Sequence, residues 1–267
     1  MIQPAPLHTG YRPAPHAGDG LVGADPRRWV PLPETDDRGF FYVQKHVTPQ
    51  IGSTGRTYLV SEAELANRST DVPKYNLTAE ALDVVRRTAT RLNDTEKMLI
   101  ELADNKFYMS ESFADPMGFR NGWGVVEGVF FELASNTGIM DSLVLNWRDK
   151  VRNDHVRPTT IVHSFLGDAT LQAWKGPGAG QGAAVKGRDW QPYIRVMPHS
   201  EHPSGSSCIC AVLFDVARLT LGRDEWTTVL PFKKGSSAVE PGGAVQVESS
   251  LPIAFESAWF QQLEPIK

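Results

Sequence analysis

The sequence has no histidine after His202 and no arginine after Arg223, so its last stretch can offer neither an imidazole nor a guanidinium to any site. Cysteine is nearly as scarce, with Cys208 and Cys210 the whole complement. They stand two positions apart in one apolar stretch, about 200° apart around a helix axis, which excludes a bridge between them and leaves small, buried apolar residues as the reading. No apolar run approaches the ~18–20 residues of a membrane-spanning helix. The start, Met1-Ile2-Gln3-Pro4-Ala5-Pro6, lacks the basic head and apolar core of a secretory leader. The Asn-x-Ser/Thr triplets at Asn67, Asn76 and Asn93 would matter only in a secreted chain, so the compartment stays open. Nor is there an excess of positive charge. Lys and Arg total 27 against 31 Asp and Glu, a formal net charge of −4, which removes any global reason to expect nucleic acid binding. A phosphate loop is missing too. Gly176-Pro177-Gly178-Ala179-Gly180-Gln181-Gly182 has the glycines without the Gly-Lys-Ser/Thr ending or a preceding strand, and reads as a flexible surface loop.

What the sequence does have is helical periodicity, in 267 residues that suffice for one large domain or two small ones. A helix starts near Asn76-Leu77-Thr78, with Ala81, Leu82, Val84, Val85, Ala89 and Leu92 on its apolar face. Asn93 or Asp94 caps a second, which turns Met98, Leu99, Leu102, Ala103 and Phe107 inward. The stretch 123–133 is apolar on most sides, and Gly122, Gly124 and Gly128 there predict close helix packing. A further helix is expected over 140–153, after which Pro158 ends the helical register. The last strong helix is expected over 205–221. No strand alternates over six residues. The expectation is an all-α bundle with its core in residues 76–222, between an irregular arm, 1–75, and an irregular tail, 223–267. The arm has a short extended piece at 40–43, and its His8, His16 and His46 are expected to be solvated.

Chemistry gathers between positions 147 and 206. Trp147-Arg148-Asp149-Lys150 is followed, seven positions after the lysine, by Arg157-Pro158, and Pro203-Ser204-Gly205-Ser206 opens the last helix. A guanidinium grips an oxyanion through two parallel hydrogen bonds, an ammonium acts as a compact charge, and a helix start supplies unpaired N–H groups. Each residue also has a plain structural reading. A lysine suits a helix C-terminus, a serine is a preferred N-cap, and Trp147 falls at core spacing.

Lys-x6-Arg-Pro followed by Pro-Ser-Gly resembles the first two of three motifs of the vanadium-dependent haloperoxidase and acid phosphatase superfamily. The texture from about Trp29 to Gly242 is similar to its haloperoxidase-like members. The resemblance implies that Lys150 and Arg157 hold the oxygens of vanadate, or of phosphate as its analogue, with Ser204 and Gly205 completing the cradle and Trp147 on the site wall. It implies hydrogen peroxide and a halide as small-molecule partners. The alternatives it leaves are phosphate-ester hydrolysis and a non-catalytic oxyanion-binding or scaffold protein. Where haloperoxidases usually place an acid–base histidine stands Ser206, whose hydroxyl does not titrate near neutrality. His199 and His202, just upstream, are the imidazoles that could reach inward. The third motif, Ser-Arg followed by a histidine, does not occur. The expectation is therefore a haloperoxidase-like chain that departs from the family pattern near Gly242 through truncation, alternative splicing or a mispredicted exon. Such a chain would lack the last core helices and be incomplete or inactive as a catalyst. Oligomeric state stays open, a homo-oligomer included.

Overall fold

The structure is a computed structural model that describes residues 27–35, 40–68, 76–178, 182–223, 227–232, 235–240 and 249–254. In chain order its elements are β1 (Pro33–Thr35), β2 (Phe41–Val43), α1 (Ile51–Thr54), α2 (Glu62–Asn67), α3 (Leu77–Thr90) and α4 (Asp94–Asp104). Then come α5 (Lys106–Arg120), α6 (Val125–Asn153), α7 (Pro158–Phe165), β3 (Thr170–Ala173), β4 (Ala183–Lys186), α8 (Gly205–Leu221), β5 (Thr227–Phe232) and β6 (Ser249–Ala254). The fold is all-α in class, and its strands form short antiparallel pairs. No helix among the described residues is long and apolar enough to cross a membrane.

The caps explain why the helix starts were legible. Asn76 accepts the Ala79 N–H at 3.0 Å to open α3, and Asn93 accepts the Glu96 N–H at 2.9 Å to open α4. Ser204 opens α8 by accepting the Ser207 N–H at 3.2 Å, and Gly222, at φ +64°, closes it in a left-handed conformation that favours glycine. Three expectations need correcting. The helices expected over 123–133 and 140–153 are one, the 29-residue α6 from Val125 to Asn153, because no proline lies between them and the helix carries Gly138 through. Pro158 does not end a helix but begins α7, where its missing N–H is one the first turn leaves unpaired anyway. His46 is buried, although it lies in the arm where solvated histidines were expected.

The arms also carry elements too short to leave a periodic signal. The extended piece expected at 40–43 is β2, paired with β1 from Pro33↔Val43 to Thr35↔Phe41. The glycine loop joins β3 to β4, paired from Thr170↔Lys186 to Ala173↔Ala183. In the tail β5 pairs with β6 from Thr227↔Ala254 to Phe232↔Ser249. His8, His16, Ala179, Gly180, Gln181 and positions 241–248 lie outside the described residues.

The chain divides into two compact units. The first comprises Met1–Gly55, Ser69–Leu92 and Leu145–Pro203. In its core Ala81 and Val85 of α3 meet Val156, Ile161 and Val162, with Ala173, Val185 and Trp190. The second comprises Arg56–Arg68, Asn93–Val144 and Ser204–Lys267, around Leu102, Phe113, Met117, Phe131, Cys210 and Leu213. There Gly138 lets α6 approach α8 closely, since a Cβ on it would stand 2.8 Å from Val212 Cγ1. Asp141 of α6 fastens the preceding loop by accepting the N–H groups of Tyr58, Leu59 and Val60 at 2.6, 2.6 and 3.0 Å. A buried Lys97–Glu240 pair at 2.6 Å ties the 235–240 segment to α4.

Candidate oxyanion site

Within the first unit, the turn between α6 and α7 aims two cations at one stretch of chain. Asp154 makes that turn at φ +47°, a left-handed conformation that Asp adopts more readily than most side chains. Residues 27–29 hold it, with Arg28 bridged antiparallel to His155. Trp29 N–H donates to the Asp154 carbonyl at 2.7 Å, Arg28 pairs with its carboxylate at 2.7 Å, and Val156 N–H donates to the Arg27 carbonyl at 2.7 Å.

Lys150, in the last turn of α6, is fully buried at 0% exposure. Its Nζ donates to the carbonyls of Ser200 at 2.8 Å and Glu201 at 3.1 Å, and Ser200 Oγ donates back to the Lys150 carbonyl at 2.8 Å. Arg157, the residue before α7, meets the same segment. Its Nε donates to the His199 carbonyl at 2.8 Å, its Nη2 lies 2.8 Å from His199 Nδ1, and its Nη1 lies 2.8 Å from Glu201 Oε2. The Glu201 contact meets on distance without the alignment of a full hydrogen bond. His199 Nδ1 also lies 2.9 Å from the Ser200 carbonyl, so it stands between a guanidinium that only donates and an oxygen that only accepts.

Aromatic rings line the cations. The Trp147 ring lies 5.3 Å from the His199 ring, and Lys150 Nζ stands 5.9 Å from the Trp147 centroid. His46 lies 6.3 Å from His199 and meets Trp29 edge-on at 5.3 Å. Trp147 Nε1 donates to the Val47 carbonyl at 2.9 Å, and His46 Nδ1 is 3.1 Å from the same oxygen. Burial, then the charges of Lys150 and Arg157, lowers the pKa of His199 to about 2. Burial, against an opposing bond to Val47 and with help from the same two cations, lowers that of His46 to about 4. His155 is lowered by burial too, with Glu201 opposing and His202 adding.

Of the residues singled out in the sequence, Lys150, Arg157, Trp147 and His199 meet here, and His202 falls in the same unit, near enough to act on His155. Ser204, Gly205 and Ser206 open α8 in the second unit, where the Ser204 hydroxyl is engaged by Ser207. Sequence reasoning missed His46, Ser200 and Glu201. His46 reaches the site across 154 positions from Ser200, and Ser200 and Glu201, though beside His199, meet Lys150 through backbone carbonyls that no residue type marks.

The donor set suits an oxyanion. Two cations face one carboxylate and two imidazoles that burial, and after it the charges of Lys150 and Arg157, keep neutral. An ammonium and a guanidinium bind anionic oxygens and repel a bare cation. Vanadate and phosphate are both of that class.

No curated protein sequence matches the chain. The family described as the VCPO second helical-bundle domain matches residues 130–262. Among solved structures, an apo-type bacterial vanadium-dependent chloroperoxidase is 26% identical with a TM-score of 0.76, over 95% of this chain and 58% of its own. A holo-type bacterial vanadium-dependent chloroperoxidase is 25% identical with a TM-score of 0.78, over 98% of this chain and 59% of its own. A bacterial vanadium-dependent iodoperoxidase shares the fold at 16% identity and a TM-score of 0.59, over 90% of this chain and 52% of its own. The chain thus spans under three fifths of the length of the chloroperoxidases it resembles. The matched domain, over residues 130–262, and these likenesses support a place for the chain on the haloperoxidase-like side of the vanadium haloperoxidase and acid phosphatase superfamily.

Proposed function

We propose that the chain binds vanadate, or phosphate in its place, at Lys150 and Arg157, as part of a protein that oxidises a halide with hydrogen peroxide. The observation that supports this reading most is the convergence of a fully buried lysine and an arginine on residues 199–201, beside two imidazoles kept neutral. Bound vanadate would supply a Lewis acid that activates peroxide toward the halide. Lys150 and Arg157 would supply fixed positive charge for its oxygens, held in place by the backbone of the 199–201 segment before any ligand arrives. Ser204 and Gly205 are assigned to the same anion by resemblance, through a hydroxyl and a helix-start N–H. Of the two candidate acid–base histidines, His202 is proposed for that role, because the Ser206 hydroxyl does not titrate near neutral pH and His199, lowered to about 2, stays neutral there.

These 267 residues hold no histidine after His202, so the proposal includes weak or absent turnover alongside real binding. The test is a vanadate titration followed by vanadium NMR or calorimetry, with bromide and chloride oxidation measured on the same sample. Saturable binding is expected, with oxidation well below ~1 per second, the lower end of ordinary enzymatic rates. Turnover at or above that rate would refute the incompleteness, and failure to bind vanadate would refute the whole reading. Hydrolysis of a phosphate ester without halide oxidation would move the cradle to the acid phosphatase chemistry of the same superfamily.

A further inference from the structure

The first half of α6 is apolar on two sides, and among the described residues only one of them is buried. In the second unit Phe131, Ser135 and Ile139 are buried, and the glycine at 138 admits Val212 of α8. On the other side Val125, Val126, Val129, Phe130 and Leu133 form a continuous stripe that spans about 140° of the helix circumference. Val125 is 83% exposed, Phe130 66% and Leu133 58%. A helix apolar on both sides is ordinarily buried between two layers, and a contiguous exposed apolar patch of this kind marks an interaction surface.

Charge says what fits. Glu127 and Glu132 flank the stripe on its two edges, roughly 60° and 20° beyond the outermost apolar residues. Both are exposed, and α6 carries no Lys or Arg before Arg148. The same stripe of a second copy would set these carboxylates against their equals, whereas basic flanks would pair with them. We propose that this face docks an amphipathic helix of another polypeptide whose own apolar stripe is bordered by Lys or Arg.

The test uses the full chain and two labelled peptides of about five helical turns with the same leucine stripe, one bordered by lysines and the other by glutamates. Fluorescence anisotropy should show the lysine peptide binding at least ~10-fold more tightly than the glutamate peptide. Phe130→Asp should weaken that binding by about 10-fold or more. The double change Glu127→Lys with Glu132→Lys, which removes only exposed bonds, from the Gly124 N–H to Glu127 and from the Asn136 amide to Glu132, should invert the preference between the peptides. Absence of binding by either peptide, equal binding of both, or an unchanged preference in the double variant would overturn the proposal. So would concentration-dependent self-association in sedimentation that Phe130→Asp abolishes, because the occupant would then be a second copy.

Discussion

Arg157 divides its guanidinium between a structural and an exchangeable role. Nε and Nη2 hold His199, while Nη1 faces the Glu201 carboxylate, which any incoming oxyanion must displace or outcompete. Glu201→Gln keeps the shape and removes the competing charge, so vanadate or phosphate affinity should rise by about 1.5- to 5-fold, the ~0.2–1 kcal/mol worth of a partly exposed ion pair. Arg157→Ala should instead weaken binding by about 10- to 150-fold, from the ~1.5–3 kcal/mol of a charge-assisted bond, against about 5-fold for the ~1 kcal/mol bond of Ser204→Ala. Calorimetric titration of the three variants checks the order, and equal losses for arginine and serine would show that the guanidinium does not touch the anion. Lys150 and Arg157 were legible in the sequence because both stand in one short stretch with a recognisable spacing. Glu201 and His46 were not. Ser200 and His46 face each other across 154 positions of sequence, a separation that no local pattern encodes.

At the scale of elements, a glycine fixes the approach of α1 to the end of α6. A Cβ on Gly52 would lie 2.3 Å from the Arg148 backbone nitrogen and 2.6 Å from the Trp147 carbonyl carbon, so no side chain fits without moving one helix. Gly52→Ala should therefore destabilise the fold by ~1–3 kcal/mol, the usual cost of overpacking, and a urea denaturation midpoint equal to that of the wild type would contradict this contact. α1 itself has four residues, too few to show a period, and so the sequence read only irregular chain there. The same limit hid the strand pairs, whose six strands run from three to six residues. The longer α3, α4 and α8 were legible, since each joins a side-chain cap to a sustained apolar face. Pro158 misled because proline stops a helix from its interior and starts one from its first turn, and only the turn at Asp154 decides which.

For the whole molecule, the lowered imidazoles of His46 and His199, with His155 acting in the same sense, make stability depend on pH and on anions. In the unfolded chain each histidine titrates near 6.5, whereas in the folded protein His46 does so at about 4 and His199 at about 2. Above 6.5 neither state holds these protons, and the stability associated with the neutral rings is fully present. As the pH falls below that value the unfolded chain takes up protons that the fold refuses. Stability is then lost through both rings down to about 4, and through His199 alone down to about 2. Glu80 acts in the opposite sense in the carboxylate range, because burial and then Glu201 and Asp83 raise its pKa, so the folded state takes that proton first. Comparing the wild type with a His46→Gln, His199→Asn variant cancels this and every other shared carboxylate. The urea midpoint of the wild type should fall more steeply between about pH 7 and about 4.5 than that of the variant. Phosphate at millimolar concentration should partly flatten the wild-type fall, since an anion beside Lys150 and Arg157 offsets the charges that add to burial in holding both rings neutral, and so raises their pKa values. Parallel curves for the two proteins would mean that the rings titrate alike in both states. A wild-type curve indifferent to phosphate, with the variant still flatter, would leave the buried rings in place and remove the oxyanion from beside them.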